Sequence, residues 1–195
     1  MAQQTLTFPV TDPAEILKLR AGDEVIVQGH IIGIRDRTQI RIFDQGVEPP
    51  MDLRGAFLLH TAPCVRKLAD RKYEKVCIGT TTSARMVRFT EPLGEQYGVR
   101  AICGKGGFPD EAIEPMRKLG MVYFAIVGGA AALETTQIEE IEEVLWEELM
   151  PECLWKFRVK DFGPLTVGID AHGNSLYHDV QAAAQEKLKE LYARL

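Results

Sequence analysis

Val99-Arg100-Ala101-Ile102-Cys103-Gly104-Lys105-Gly106-Gly107-Phe108-Pro109-Asp110-Glu111, with the residues that follow to Gly129, decides the fold class. Val99–Cys103 is a short apolar run of strand character that ends in a Gly-Lys-Gly-Gly turn. Pro109-Asp110-Glu111 has the chemistry of a helix start and Gly120 that of a helix stop, which predicts a helix over Pro109–Leu119. Met121–Val127 is apolar throughout, the pattern of a central strand, and Gly128-Gly129 turns it. Strands and helices mixed in one chain argue for an α/β or α+β domain.

Working outward, Gly79–Ser83 is a polar junction that leads into a helix over Ala84–Phe89, punctuated by Pro92 and Gly94. Lys75–Ile78 and Gly55–Leu59 are short candidate strands, and Gln45–Pro50 is a loop. Gln39–Phe43 alternates polar and apolar residues and reads as a strand, as does the Val- and Ile-rich Glu24–Ile34. Thr11-Asp12-Pro13 starts a helix carrying Ile16, Leu17 and Leu19. On the other side, Thr135–Leu149 sets Ile138, Ile141, Val144, Leu145 and Leu149 at helical spacing, with glutamates on the opposite face. Leu154–Val159 and Leu165–Ile169 read as two strands, Asp170–Asn174 as a turn, and Asp179–Leu195 as a final helix. There is no internal repeat, low-complexity tract or linker, so 1–195 is expected to be one domain.

The 195 residues carry 23 Lys and Arg against 28 Asp and Glu, for a net charge of −5. Length and an apolar fraction of 46 % are enough for a sizeable core without disulfides or metals. Eight of the acidic residues are glutamates within Glu134–Glu152, which holds no Lys or Arg, so the remainder of the chain is mildly basic. That balance suits a small anionic ligand and lacks the basic face of a nucleic-acid binder. The longest uncharged run, Leu119–Leu133, is too short to span a membrane. The N-terminal residues lack the basic and apolar regions of a secretory signal. Cys64, Cys77, Cys103 and Cys153 have no metal-ligand spacing and read as reduced thiols of a cytoplasmic protein.

Three stretches can carry chemistry, and all three follow apolar strands. Gly79-Thr80-Thr81-Thr82-Ser83-Ala84-Arg85-Met86 is either a run of helix-capping hydroxyls with a surface arginine or an anion site with a cation one turn along. Gly104-Lys105-Gly106-Gly107 is either a flexible turn or a backbone cradle with a point charge, and its spacing excludes a Walker A loop. Arg35-Asp36 is either a solvated ion pair or an arginine fork held by the aspartate. Ligand groups gather at the carboxyl ends of strands in open α/β sheets, so Arg35, Arg85 and Lys105 can converge on a small polyanion such as a dicarboxylate. His30, His60, His172 and His178 show neither ligand spacing nor a base–nucleophile pattern, which leaves them structural or surface roles.

Taken in order, Gly22-Asp23-Glu24-Val25, Arg35-Asp36, Asp52-Leu53-Arg54-Gly55, Thr81 to Met86, Gly104 to Gly107, Gly128 to Leu133 and Asp170 to Asn174 carry a resemblance. The chain resembles the C-terminal domain, or β subunit, of the iron–sulfur class I fumarases and L-tartrate dehydratases. The resemblance implies a swivelling β/β/α domain, an α/β fold with a mixed sheet and flanking helices. It implies a hydro-lyase subunit, with fumarate to L-malate as the first reaction expected. L-tartrate, mesaconate or a non-catalytic anion-binding role are the alternatives. It further implies a [4Fe–4S] cluster held by a separate α subunit, and a homodimer alone or an α₂β₂ assembly with that partner. By the same resemblance Arg35, Arg85 and Lys105 bind substrate carboxylates, Thr82 hydrogen-bonds substrate, and Thr81 is the base for the carbon-bound proton. Thr80 stands where the family usually has Pro, Ala84 where it has Gly, and Arg37-Thr38-Gln39 where it has a histidine.

Overall fold

The computed structural model describes residues 3–193. In chain order its elements are β1 (Gln3–Phe8), α1 (Ala14–Leu17), β2 (Glu24–Ile34), α2 (Asp36–Phe43), β3 (Phe57–His60), β4 (Cys64–Ala69) and β5 (Lys72–Cys77). A 3₁₀ segment (Ser83–Phe89) then leads through α3 (Thr90–Tyr97), β6 (Ala101–Gly104), α4 (Ile113–Leu119) and β7 (Val122–Ala125). The chain finishes with β8 (Ile138–Leu145), β9 (Leu154–Ile169) and α5 (Leu176–Tyr192). Among the described residues no helix is long and apolar enough to cross a membrane.

Seven strands form one mixed sheet in the order β1-β2-β3-β6-β7-β9-β8, and β4 and β5 pair as a separate hairpin. β1, β2, β3, β6 and β7 run parallel, whereas β9 is antiparallel to its neighbours. The sixteen-residue β9 also pairs with β2, so β2, β3, β6, β7 and β9 close into a ring. Register shifts where β9 meets β2 supply the bends that closure needs. Val25, Val27, Phe57, Phe124, Phe157 and Leu165 form one core on the inner face. Ile34, Ile42, Leu58, Met86, Leu93 and Met116 form a second core on the other face, beneath α2, α3 and α4. The α/β class with a mixed sheet and flanking helices is therefore as expected.

Two expected elements change type. Gln39–Phe43 is the last part of helix α2 rather than a strand. Thr38, Gln39 and Ile42 are buried, three and four residues apart, so the apparent alternation was one side of a helix. Thr135–Leu149 is not a helix but a 3₁₀ segment (Ala130–Gln137), strand β8 and a short 3₁₀ turn. Register shifts against β9 lie between Ile138 and Glu140 and between Ile141 and Glu143. Each inserts one residue, so the inward residues Ile138, Ile141 and Val144 recur every third position instead of every second. Two bulges thus imitate helical spacing. The glutamates lie along an edge strand, where Arg158 and Lys156 of β9 answer them and their charge discourages pairing with another sheet edge.

Boundaries differ elsewhere. β1 and β4 are additional to the expected strands, and the two strands expected over Leu154–Ile169 are one. The helix expected over Ala84–Phe89 is the 3₁₀ segment, and α3 continues through Pro92 and Gly94. Pro92 sits in the first turn of α3, where its missing N–H has no partner to lose. A Cβ on Gly94 would lie 2.4 Å from Met121 Sδ, so its role is close packing rather than helix termination. The last two residues of the expected C-terminal helix lie outside the described range.

Candidate functional site

Because β2, β3, β6 and β7 are parallel, their carboxyl ends share one edge. β2 delivers Arg35 and Asp36 there, β3 delivers His60, and β6 delivers Lys105. The chain returning from β5 wedges between the ends of β3 and β6. Thr80 bridges to Thr61, and the Thr81 N–H donates to the His60 carbonyl at 2.7 Å. The Thr81 carbonyl accepts from the Lys105 N–H at 3.2 Å, and the Ser83 N–H donates to the Lys105 carbonyl at 3.3 Å. Thr81, Thr82 and Lys105 are therefore held together by main chain alone.

Asp36 joins the two arginines. Its Oδ2 accepts from Arg85 Nη2 at 2.9 Å and from Arg35 Nε at 3.3 Å, and its Oδ1 accepts from Arg85 Nε at 3.3 Å. Burial alone would push the Asp36 carboxyl up, but Arg85 and Arg35 outweigh it and hold it below the usual carboxylate range. Glu152 supports the same corner. Its Oε2 accepts from the Arg37 N–H at 2.8 Å at the start of α2, its Oε1 lies 3.8 Å from Arg35 Nε, and its carbonyl accepts from Thr38 Oγ1. Arg35 is engaged with Asp36 through Nε and Arg85 through Nε and Nη2, which leaves other guanidinium N–H groups available to a ligand. The Arg85 side chain is 48 % exposed, so this is an open shelf at the sheet edge.

Behind the shelf lies a buried polar network. His60 Nδ1 is 2.9 Å from Ser83 Oγ, which is 3.1 Å from the Tyr123 hydroxyl. That hydroxyl is 3.0 Å from both the Gly104 and Gly106 carbonyls, and the Tyr177 hydroxyl donates to Gly106 at 3.1 Å. Burial raises both phenols, Tyr177 to about 12, so both remain protonated donors. His60 is 1 % exposed, and its Nε2 has no partner among the described residues. Burial lowers the imidazole to about 3; Asp36 opposes this and Arg85 reinforces it. Unfolded chain therefore takes up a proton as pH falls below about 6.5, while the native ring does not until near pH 3. Its contribution to stability is present above the unfolded value and is lost across that window. We expect the His60→Asn variant to show a shallower fall in stability between pH 6 and pH 4, by up to about 1.4 kcal/mol per pH unit. Urea melts at several pH values check this, and parallel slopes would contradict it.

Of the residues expected at the site, Arg35 and Arg85 are brought together by Asp36, and Thr81, Thr82 and Lys105 by the strand-end wedge. Lys105 also lays its stem over Gly128, where a Cβ would sit 3.1 Å from Lys105 Cδ. His60, Ser83, Tyr123 and Glu152 join the site beyond the expected residues. Ser83 lies in one of the three candidate stretches and His60 follows the expected strand Gly55–Leu59, but Tyr123 and Glu152 reach the edge from distant segments with no local signal. Among the described residues no group of three His, Cys, Asp or Glu can hold a metal. Cys103 and Cys153 are buried in the core while Cys64 and Cys77 lie on the hairpin. Among the described residues, then, no side-chain set fits the ligands of an iron–sulfur cluster.

A family model described as Fumarase C-terminus matches residues 4–180. The chain is 42 % identical over 175 residues to the L(+)-tartrate dehydratase subunit beta of Escherichia coli (strain K12), covering 89 % of this chain and 86 % of that protein. It is 37 % identical over 190 residues to a Methanocaldococcus jannaschii protein provisionally named L(+)-tartrate dehydratase subunit beta, covering 95 % and 97 %. A third relative, from Geobacillus stearothermophilus and provisionally named fumarate hydratase class I, is 35 % identical over 187 residues; 95 % of this chain aligns with 36 % of that longer protein. With the strand-end edge that carries Arg35, Arg85 and Lys105 lying inside the matched span, the chain belongs to the fumarase C-terminal family.

Proposed function

We propose that this chain is the β subunit of a hydro-lyase that adds water to, or removes it from, a four-carbon dicarboxylate, with a separate α chain required for activity. The observation that carries this is the pair of arginines fixed by one aspartate beside a threonine segment bonded to Lys105. Guanidinium forks recognise carboxylates bidentately, and two forks plus a lysine suit a dianion. L-tartrate takes precedence over fumarate as substrate, because the relatives at 42 % and 37 % identity carry tartrate names and the one at 35 % a fumarate name. Mesaconate is the remaining alternative.

In this reading Arg35 and Arg85 grip the carboxylates and orient the carbon chain, and Thr82 donates a hydrogen bond to substrate. Thr81 holds or takes the carbon-bound proton. A threonine hydroxyl is a weak base unless cations stabilise its alkoxide, and Arg85 and Lys105 are the cations at hand. The [4Fe–4S] cluster implied by the resemblance belongs in this proposal to the α chain, and no step on this chain runs through it. An open shelf does not exclude water by itself, which fits a site completed by a second chain.

Anaerobic co-expression with a candidate α chain, followed by assays on L-tartrate, fumarate, L-malate and mesaconate, tests the proposal. Turnover of one acid by the complex, absent from either chain alone, supports it and names the substrate. A stable complex without turnover of any of them sinks it in favour of a non-catalytic anion-binding role. Thr81→Val, which keeps shape and removes the hydroxyl, is expected to lower kcat by at least about a hundredfold with KM changed little. Stopped-time assays of the complex check this, and an unchanged kcat removes Thr81 from its role.

A further inference from the structure

We propose that Cys64 and Cys77 form a reversible disulfide across the root of the β4–β5 hairpin. The two residues are direct partners in this antiparallel pair. Opposed residues in such a pair have Cα atoms about 4.5–5.5 Å apart, within the range a disulfide spans. Their side chains share a face. Val65 packs on the core and opposes Lys75, whose ammonium reaches the Thr135 and Ile138 carbonyls, so that pair faces inward. Cys64 is one residue from Val65 and therefore faces outward. Cys77 is two residues from Lys75, but the register shift makes Val76 an extra residue, which turns Cys77 outward too. Cys64 is exposed and Cys77 half-buried, and Ile78, the next residue, is buried in the core on the inward side.

The other two thiols are set apart from this pair. Cys103 and Cys153 are buried, and burial raises both thiols, Cys153 to about 11, so neither offers much thiolate. Cys64 instead lines an open cleft of about 390 Å³ with Pro63, Met150 and Pro151, which gives a small oxidant access. The co-reactant is a low-molecular-weight disulfide of the glutathione class. One cysteine thiolate attacks it, forming a mixed disulfide and releasing one small thiol. The second cysteine thiolate then displaces the other small thiol. The protein gives up two protons and two electrons, and the small disulfide takes both. Closure pins the hairpin root two residues before Gly79, whose carbonyl accepts from Thr61 Oγ1 at 2.6 Å, and so anchors the segment that enters the Thr80–Ser83 wedge.

The test is oxidation of the full-length reduced chain with oxidised glutathione, alkylation of remaining thiols, and tryptic mapping without reduction. Trypsin separates Gly55–Arg66, which holds Cys64, from Val76–Arg85, which holds Cys77. The expected result is one linked species of these two peptides, two hydrogens lighter than their sum, that separates on reduction and is absent from Cys64→Ser. Glutathione adducts without a link, a link from Cys64 to Cys103 or Cys153, or links only between chains would each overturn the proposal.

Discussion

Arg85→Ala is expected to lower kcat/KM of the assembled enzyme by about 10²–10³-fold while the chain stays folded. A charge-assisted hydrogen bond is worth about 1.5–3 kcal/mol, and loss of a two-pronged carboxylate grip removes more than one. The fold survives because the Arg85 side chain is half exposed and packs no core. Asp36 then loses its strongest partner, and Arg35 alone holds it at 3.3 Å. The carboxyl of Asp36 should rise toward its ordinary range. In the parent its depressed value contributes stability above the usual carboxylate pKa that is lost as pH falls, so the variant should lose less stability on acidification. Lysine does not replace the arginine, since one ammonium cannot reproduce the Nε and Nη2 contacts to two carboxylate oxygens. Steady-state kinetics with circular dichroism of the folded variant decide it, and activity within a few-fold of the parent would remove Arg85 from the site.

Gly104→Ala is the second large effect, and it falls on stability. A Cβ there would lie 2.0 Å from Ser83 Oγ and 3.1 Å from the Thr81 carbonyl. The first contact is impossible without movement, and Ser83 cannot move without leaving His60 and Tyr123. Overpacking of this kind costs about 1–3 kcal/mol, and broken buried hydrogen bonds add to it. For a chain of this length the melting temperature should fall by roughly 5–10 °C. Gly79→Ala, in the same region but with nothing within 4 Å of the new Cβ, should stay within about 0.5 kcal/mol of the parent. Adding Ser83→Gly to Gly104→Ala should restore part of the loss by removing the clashing oxygen. Thermal melts of the four proteins check the set; a Gly104→Ala variant as stable as Gly79→Ala would refute the wedge geometry.

The strand-and-loop grammar around the site was legible because it is local. Glu24–Ile34 declares itself by β-branched content, and the turns after β2 and β6 place Arg35 and Lys105 at strand ends before any contact is known. β8 shows the limit. Its inward residues recur every third position because bulges against β9 insert residues, and no sequence period reports a bulge that only the partner strand creates. α2 shows the converse: a short run of alternating residues satisfies both periods, and burial of Thr38, Gln39 and Ile42 against the second core decided for helix.

Residue types and local spacing thus carry the mixed α and β class, the strand-terminal position of Arg35 and Lys105, and the cations and hydroxyls of the three candidate stretches. Tertiary structure decided how they are held. Asp36 reaches Arg85 from forty-nine residues away, and Tyr123 reaches Ser83 from forty. The ring closes only because β9 pairs both with β2, near the start of the chain, and with β7, far along it. Side-chain type and local spacing are written in the chain, but a contact between distant residues depends on which strands pair and where a bulge shifts the register. Those choices are settled by burying both faces of the sheet at once, and no single segment contains them.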